Sequence, residues 1–494
     1  MNKTTTRFNE TLPAAILLFS SLAVALSFVF PASFFIGFSS CLAIAPVLAY
    51  LLFFKRAVFY PLLVFLVPLS ISIFIGDGTK ADLPSEPLLG LMMLMVVVGM
   101  IVRPTVSKEF LQHPVSILIM IELCWMIFCS LNGELPLVSL KRCIVRFGFV
   151  TVFYILFSQW MTKPLSAGKV FILYAAGCVI PIIHGIIFHA KFNFSSIAAY
   201  LMPRPFFAEH TIYGACLAFI LPMLVILIYN SNIFRIRGLK LLLLSALTLL
   251  IIAGEFLSFS RAAWVSLGVA FVFRILIFFR IRLWMIFVVL SLAGIFAYQN
   301  SGIILEKIKR NESVSNKGGI SDHLMSVANV QSDASNLERI NRWKCALRMT
   351  KERPVTGFGP GTYQFIYGSF QSRADLTRIS TFRGTNGHAH SEFFNAISET
   401  GIPGGLIYLA LLFLVIGYGL RVIYNSKEKQ EKAIALGALL GLVTFFVHGF
   451  FNAFLDTDKI AVLVFGSIAI IVCLDIRQRK SPVTIEPVFE KSGA

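Results

Sequence analysis

The chain has 494 residues, of which 57% are hydrophobic and only 14% charged, with a mean hydropathy of +0.80. That balance excludes a water-soluble fold, because a soluble surface needs more polar groups than this chain carries. The formal charge of +18 does not make a nucleic-acid-binding stripe either: Lys55/Arg56, Arg235/Arg237/Lys240, Arg280/Arg282 and Arg477/Arg479/Lys480 stand as punctuation between apolar blocks, the positive-inside pattern of a membrane protein.

The apolar blocks are about 16–23 residues long, enough at about 1.5 Å per residue to cross about 30 Å of hydrocarbon. They predict helices near 13–30, 33–53, 57–76, 87–102, 115–131, 144–162, 168–190, 213–230, 240–258, 262–279 and 283–298, then near 404–424, 433–450 and 459–475. The first reads as an uncleaved helix, because its apolar stretch is long and a second follows almost at once. The segments at 87–102 and 283–298 are short for full spans. The expected fold class is therefore all-α: a polytopic membrane protein of about 12–14 transmembrane helices with one large, partly helical outer loop.

With the N-terminus and its Lys3 and Arg7 cytoplasmic, every second connector should be basic. Lys55/Arg56, Arg103/Lys108, Lys163/Lys169, Arg235/Arg237/Lys240, Arg280/Arg282, Arg421/Lys427/Lys429/Lys432 and Arg477/Arg479/Lys480 satisfy this. The opposite connectors include Pro31-Ala32, the acidic stretch Asp77–Glu86 and Phe451–Asp458. Both termini then fall in the cytoplasm. The organisation read from this is 1–298 as N-terminal transmembrane helices, 299–403 as the outer loop, 404–476 as C-terminal transmembrane helices and 477–494 as a cytoplasmic tail.

Lys141, Arg142, Arg146 and Arg261 break the pattern by placing positive charge outside, which points to an anionic ligand at that face. For Lys141 and Arg142, headgroup contact is an equal reading. The cysteines lie mostly within apolar blocks without CxxC or metal-type spacing, and read as small core hydrophobes. Cys345 is alone in the insertion, so no disulfide forms within that loop.

Within the insertion, 311–336 is rich in Ser, Asn, Gly and Asp and reads as a loop. Residues 337–352 carry Leu337, Ile340, Trp343/Lys344 and Leu347 at helical spacing, and Pro354 ends that helix. The glycine run Gly357-Phe-Gly-Pro-Gly361 follows, and a second helix begins around Ser391. The run is no phosphate-binding loop, since no Gly-Lys-Ser/Thr follows; it allows a tight turn or a close approach to the backbone. Glu122, Glu255, His184 and Arg274 fall inside predicted helices, where packing or an interfacial position is the simpler account. Gly437-Ala-Leu-Leu-Gly441 suits close helix contact.

Three segments carry the chemistry. They are Ser260-Arg261 between two helices; Arg339, Arg342 and Trp343 followed by Pro354-Val-Thr-Gly-Phe-Gly; and His388-Ala-His390-Ser391-Glu392 continuing to Gly401-Ile-Pro-Gly404. Together they resemble the O-antigen ligase family, membrane glycosyltransferases grouped with O-antigen polymerases. The family's loop signature, a His and a small polar residue, nine residues, then Gly-x-x-Gly, is matched by His390-Ser391 and Gly401-Ile-Pro-Gly404. Its Ser-Arg at a helix end is matched by Ser260-Arg261, and its Arg four residues before Trp by Arg339 and Trp343. The resemblance is specific over about 255–410. The chain departs from it in having more apparent helices than the twelve usual in ligases, and a Ser where Asn is common.

The resemblance implies transfer of a glycan from undecaprenyl diphosphate to an acceptor sugar of lipid A-core at the periplasmic face of the bacterial inner membrane. The alternative acceptor is a second lipid-linked repeat, which would make the chain an O-antigen or exopolysaccharide polymerase. Breaking an anomeric C–O bond to diphosphate leaves negative charge that fixed guanidinium groups stabilise, and Arg261 and Arg339, with Arg342 in support, are the residues expected there. The attacking hydroxyl needs a base, for which His390 is the candidate. His388, Glu392, Lys141, Arg142 and Asp456 are expected in supporting positions. His388 and His390 lack a third ligand at metal-type spacing, and the implied displacement is inverting, without metal or other cofactor. A flippase or secondary transporter is the competing class; such proteins place polar groups near the bilayer midplane on repeated helices, and no repeat is visible here.

Overall fold

The structure is a computed structural model that describes residues 56–74, 80–102, 106–161, 164–281, 299, 334–377, 380 and 387–480. Its chain divides into two compact units, Met1–Leu63 and Val64–Ala494. Of the first, only the start of helix α1 (Arg56–Leu66) is described. The helices expected near 13–30, 33–53 and 283–298, and the loop 311–333, lie outside the described residues.

The second unit is an all-α polytopic membrane protein. Its principal helices are α2 (Ser85–Val102), α3 (Pro114–Leu131), α4 (Pro136–Phe149), α5 (Pro164–Ala190), α6 (His210–Tyr229), α7 (Leu239–Leu257), α8 (Arg261–Phe278), α9 (Ala334–Glu352), α10 (Glu392–Asn425), α11 (Lys429–Phe451) and α12 (Asp458–Lys480). Among the described residues, eight helices are long and apolar enough to cross a membrane: α3, α5 to α8 and α10 to α12. The fold class read from the sequence is thus the observed one.

Local chemistry sets the ends of these helices. His113 caps α3 by accepting the Val115 N–H on Nδ1 at 3.3 Å, with Pro114 at the first helical position. Ser391 caps α10 by accepting the Phe394 N–H at 3.5 Å. Two expectations shift. The segment expected as one helix over 57–76 stops as a helix at Leu69, beyond which Ile71–Phe74 and Lys80–Leu83 pair as a small antiparallel hairpin. The helix expected at 144–162 starts earlier, at Pro136, and continues beyond Phe149 through a π-helical stretch, Val150–Leu156, to Phe157–Trp160.

α11 and α12 form the centre of the bundle, with most of each buried. α11 packs on α6 through the two small residues noted in the sequence: a Cβ on Gly437 would lie 2.6 Å from Met223 Sδ, and one on Gly441 would lie 2.8 Å from the Phe219 carbonyl oxygen. Absence of side chains there lets the backbones approach as membrane helices often require. The starts of α6, α8, α10 and α12 and the ends of α3, α5, α7 and α11 share one face, as contacts of Gly214 with Ser260, Tyr213 with Gly254, His189 with Phe259, Trp125 with Thr400, Gly449 with Glu392 and Leu455 with Glu392 require. The opposite face gathers the basic residues, where Arg477 meets Glu431 at 3.0 Å, Lys480 meets Glu109 at 3.1 Å, and Asp475 collects Arg479 at 2.7 Å, Arg421 at 3.5 Å and His113 at 3.3 Å.

Candidate functional site

The site is built where the described part of the large loop between α8 and α10 folds back on the first turns of α10. Helix α9 contributes Cys345, Ala346 and Met349 to a small core completed by Phe358, Tyr363, Tyr367 and Ala389. Trp343 stacks on Phe394 with ring centres 5.2 Å apart and meets Phe450 edge-on at 5.4 Å. The loop is thereby fixed to both α10 and α11 by aromatic burial.

The glycine run docks against a kink in α10. Gly401 sits inside that helix at φ +73°, and a Cβ there would lie 2.1 Å from the Val355 carbonyl oxygen. A Cβ on Gly357, at φ +62°, would lie 2.4 Å from the Glu399 carbonyl carbon. The bare backbones then bond directly: Phe358 N–H to Ser398 O at 3.1 Å, Gly359 N–H to Glu399 O at 2.8 Å, and Ile402 N–H to Pro354 O at 2.8 Å. The Pro-x-x-Gly-x-Gly and Gly-x-x-Gly motifs are therefore two halves of one joint, and they require glycine because only glycine permits both the left-handed φ and the contact. This makes the run a docking element with a tight turn, the first of the two roles read for it.

That joint delivers the histidine segment to the start of α10. His390 takes φ +51°, a conformation seldom adopted outside glycine. Trp343 Nε1 donates to its carbonyl at 3.3 Å, and its own N–H donates to His388 Nδ1 at 3.1 Å, with the two imidazoles edge to face at 4.7 Å. The His390 Nδ1 is buried with no hydrogen-bond partner, while Asn452 lies within hydrogen-bonding reach of the ring. Burial, aided by the neighbouring His388, Arg342 and Arg339, pushes His390 down to about 2; burial and Arg342 push His388 down to about 4. Both rings are neutral near pH 7.

The expected cations fall into two groups. Arg339 lies within electrostatic reach of His388 and His390 and also of His210 and His448; Arg261, at the start of α8, reaches His210 as well. These residues from α6, α8, α9, α11 and the loop gather at one end of the bundle. Arg342 is buried instead in a fixed role: Nε donates to Glu338 Oε1 at 3.1 Å, Nη1 donates to the His388 carbonyl at 3.0 Å, and the guanidinium lies over the Tyr367 ring.

The remaining sequence candidates form a neighbouring polar network. Arg142 pairs with Asp456 at 2.8 Å; Arg146 reaches Asp456 at 3.6 Å and Glu122 at 4.0 Å. The charge that made Arg142 and Arg146 look available to an external anion is thus met by carboxylates of the chain itself. Glu392 Oε1 accepts the N–H groups of Phe454 (2.5 Å) and Leu455 (2.7 Å), holding the loop that carries Asp456. These side chains line a cavity of about 60 Å³ beneath the glycine joint. Lys141 is exposed, with Glu86 as an electrostatic neighbour.

Two members of the histidine group were not among the sequence candidates. His210 opens α6, and His448 lies near the outer end of α11, 1% exposed, with neither ring nitrogen hydrogen-bonded. The available signal was an ionisable side chain inside an apolar block, which in a membrane helix is a functional flag by default. No group of three His, Cys, Asp or Glu side chains placed to share a metal ion occurs among the described residues.

A helical bundle with eight membrane-length apolar helices among the described residues, gathering imidazoles and guanidinium groups under a folded loop at one end, belongs to the class of multi-pass membrane proteins. Residues 246–409, from α7 through the kink of α10, match the family model described as O-antigen ligase, and over that segment the chain is similar to the O-antigen ligase/polymerase family. No curated protein matches the sequence.

Proposed function

We propose that this chain is an O-antigen ligase that moves a glycan from undecaprenyl diphosphate to a lipid A-core sugar at the periplasmic face of the inner membrane, with both termini cytoplasmic. The observation that supports this reading is that Arg339 is an electrostatic neighbour of both His390 and His210, and that Arg261, far away in sequence, is also a neighbour of His210. In the proposed step, the acceptor hydroxyl oxygen attacks the anomeric carbon and its proton passes to a His390 ring nitrogen. The anomeric C–O bond breaks with its electron pair going to the diphosphate, which Arg261 and Arg339 stabilise. The displacement inverts the anomeric centre and calls on no metal.

Arg342 holds the His388 carbonyl and so positions the histidine segment, with Tyr363 donating its hydroxyl to the Arg342 carbonyl at 2.9 Å from the other side. His448 and His210 line the donor site beside Arg339. Burial is the main cause of the lowered His390 basicity, with His388, Arg342 and Arg339 adding to it; an anionic donor beside Arg339 offsets that part and raises the basicity of the ring.

The test is a deletion strain complemented with the wild-type chain, His390→Ala or Arg261→Ala, read by surface glycan and by mass spectrometry of lipid-linked intermediates. Loss of transfer at normal membrane abundance is expected. Transfer surviving in both variants would overturn the proposal in favour of a transporter. Long lipid-linked glycan accumulating in the deletion strain marks the ligase; single repeats on core mark the polymerase.

A further inference from the structure

On the face opposite the histidines, α6, α8, α10 and α11 enclose a lateral groove of about 680 Å³. Its walls are apolar: Leu221, Val225, Leu267, Phe271, Phe278 and Leu440. Its mouth is basic, with Arg274, Lys429 and Lys432. Among the described residues, none of these three cations has a carboxylate partner, in contrast to Arg477, Arg479 and Lys480 on the same face, each of which is paired. Tyr229, Asn230 and Tyr424 complete the rim.

The depth of the groove identifies what fits. It runs along α11 from Lys429 to Leu440 and along α8 from Phe278 to Leu267, each roughly 16 Å at about 1.5 Å per residue. That is about half of a hydrocarbon core of about 30 Å, or one leaflet. A ligand that is apolar over one leaflet and anionic at the adjoining interface has the shape and charge of a phospholipid. Lysine and arginine stems reaching outward along such a wall place their charges at headgroup level.

We propose that this groove is a binding site for an anionic diacyl phospholipid of the leaflet opposite the histidine site, its phosphate held by Arg274, Lys429 and Lys432 and one acyl chain lying along Phe271, Leu267 and Leu440. Zwitterionic lipids fill the same apolar walls but lack the net charge that the mouth selects. Each cation near the headgroup plane contributes about a fivefold preference for the anionic lipid. Because α8 and α10 both continue to the opposite face, where they begin at Arg261 and Glu392, a lipid wedged between them stabilises the helices that carry the histidine site.

The test uses the purified full-length protein in detergent, with phosphatidylglycerol or phosphatidylcholine of matched chains added in equal amounts. Retained lipid is read by native mass spectrometry and stability by thermal unfolding. Phosphatidylglycerol is expected to be retained preferentially and to raise Tm. The triple variant Arg274→Gln, Lys429→Gln, Lys432→Gln is expected to lose that preference while still retaining phosphatidylcholine. If the triple variant does not fold, Lys432→Gln alone should cut the preference about fivefold. Equal retention of the two lipids by the wild-type protein, or an unchanged preference in the variants, overturns the proposal. The readout is independent of glycan transfer.

Discussion

One guanidinium, that of Arg342, donates to Glu338 on its own helix and to the backbone carbonyl of His388 in the loop, at 3.1 Å and 3.0 Å. The fold thereby ties α9 to the segment that presents His390. Glu338 in turn accepts from Ser380 Oγ at 2.5 Å and Thr377 Oγ1 at 2.8 Å, so the pair sits at the centre of a buried polar knot.

Removing one partner of a buried pair leaves the other charge uncompensated, a loss of roughly 3–5 kcal/mol. Arg342→Ala is therefore expected to loosen the loop, read as faster limited proteolysis between α9 and α10, and to abolish transfer. Arg342→Lys keeps the charge but cannot donate in two directions from a planar fork. It should lower kcat more than it raises KM for the lipid-linked donor. A rise in KM alone would assign Arg342 to donor binding instead.

The glycine joint predicts a local failure of a different kind. Gly401→Ala must place a methyl 2.1 Å from the Val355 carbonyl oxygen at φ +73°, so the 354–361 segment has to undock. The left-handed strain alone costs on the order of 1–3 kcal/mol, and the clash adds to it. Membrane insertion should be normal, since α10 beyond the kink is unaffected, while transfer is lost and the loop becomes protease-sensitive. Gly417→Ala, on the same helix with open space around its Cβ position, is the control and should be silent.

The spans were legible because long apolar blocks leave few alternatives, whereas the segments carrying His390, Arg339 and Gly401 stood out only through their resemblance to family motifs. The start of α4 was not legible: Ser139, Lys141 and Arg142 give 136–143 a polar character that no apolar block announces. In the structure Arg142 and Arg146 are met by Asp456 and Glu122, partners distant in sequence that no local window contains. The hairpin after Leu69 was hidden for the opposite reason, since Ile71, Ile73 and Phe74 are as apolar as a span and only their pairing with Lys80–Leu83 makes them strands. The glycine motifs could be placed in the loop, but that they dock on one another is a tertiary fact.

The pH dependence follows from the depressed histidines. Burial in the folded protein pushes His390 down to about 2 and His388 down to about 4, against about 6.5 in an unfolded chain. As pH falls below about 6.5 the unfolded chain takes up protons that the folded loop refuses, so stability is present above that pH and declines progressively toward pH 4. Thermal unfolding of the wild-type protein should show this decline, and His388→Gln should reduce it. In the donor complex the Arg339 charge is offset, so the acid limb of kcat should lie at higher pH than that of kcat/KM. Coincident acid limbs would count against His390 as the base.

His448 separates structure from function most cleanly. Both its ring nitrogens are buried without a hydrogen bond, with Phe454 against the ring at 5.2 Å and Arg339 and His210 as electrostatic neighbours. A buried polar group left unsatisfied costs about 1–3 kcal/mol, whereas an apolar group of similar shape carries no such penalty. His448→Phe is therefore expected to leave the ligand-free protein as stable as the wild type or more so, with Tm unchanged or raised. If a ring nitrogen meets its partner only when the diphosphate donor is bound, the same variant should raise KM for the donor by about tenfold, the worth of one charge-assisted hydrogen bond. A variant that is destabilised with unchanged KM would show that His448 is held by packing alone.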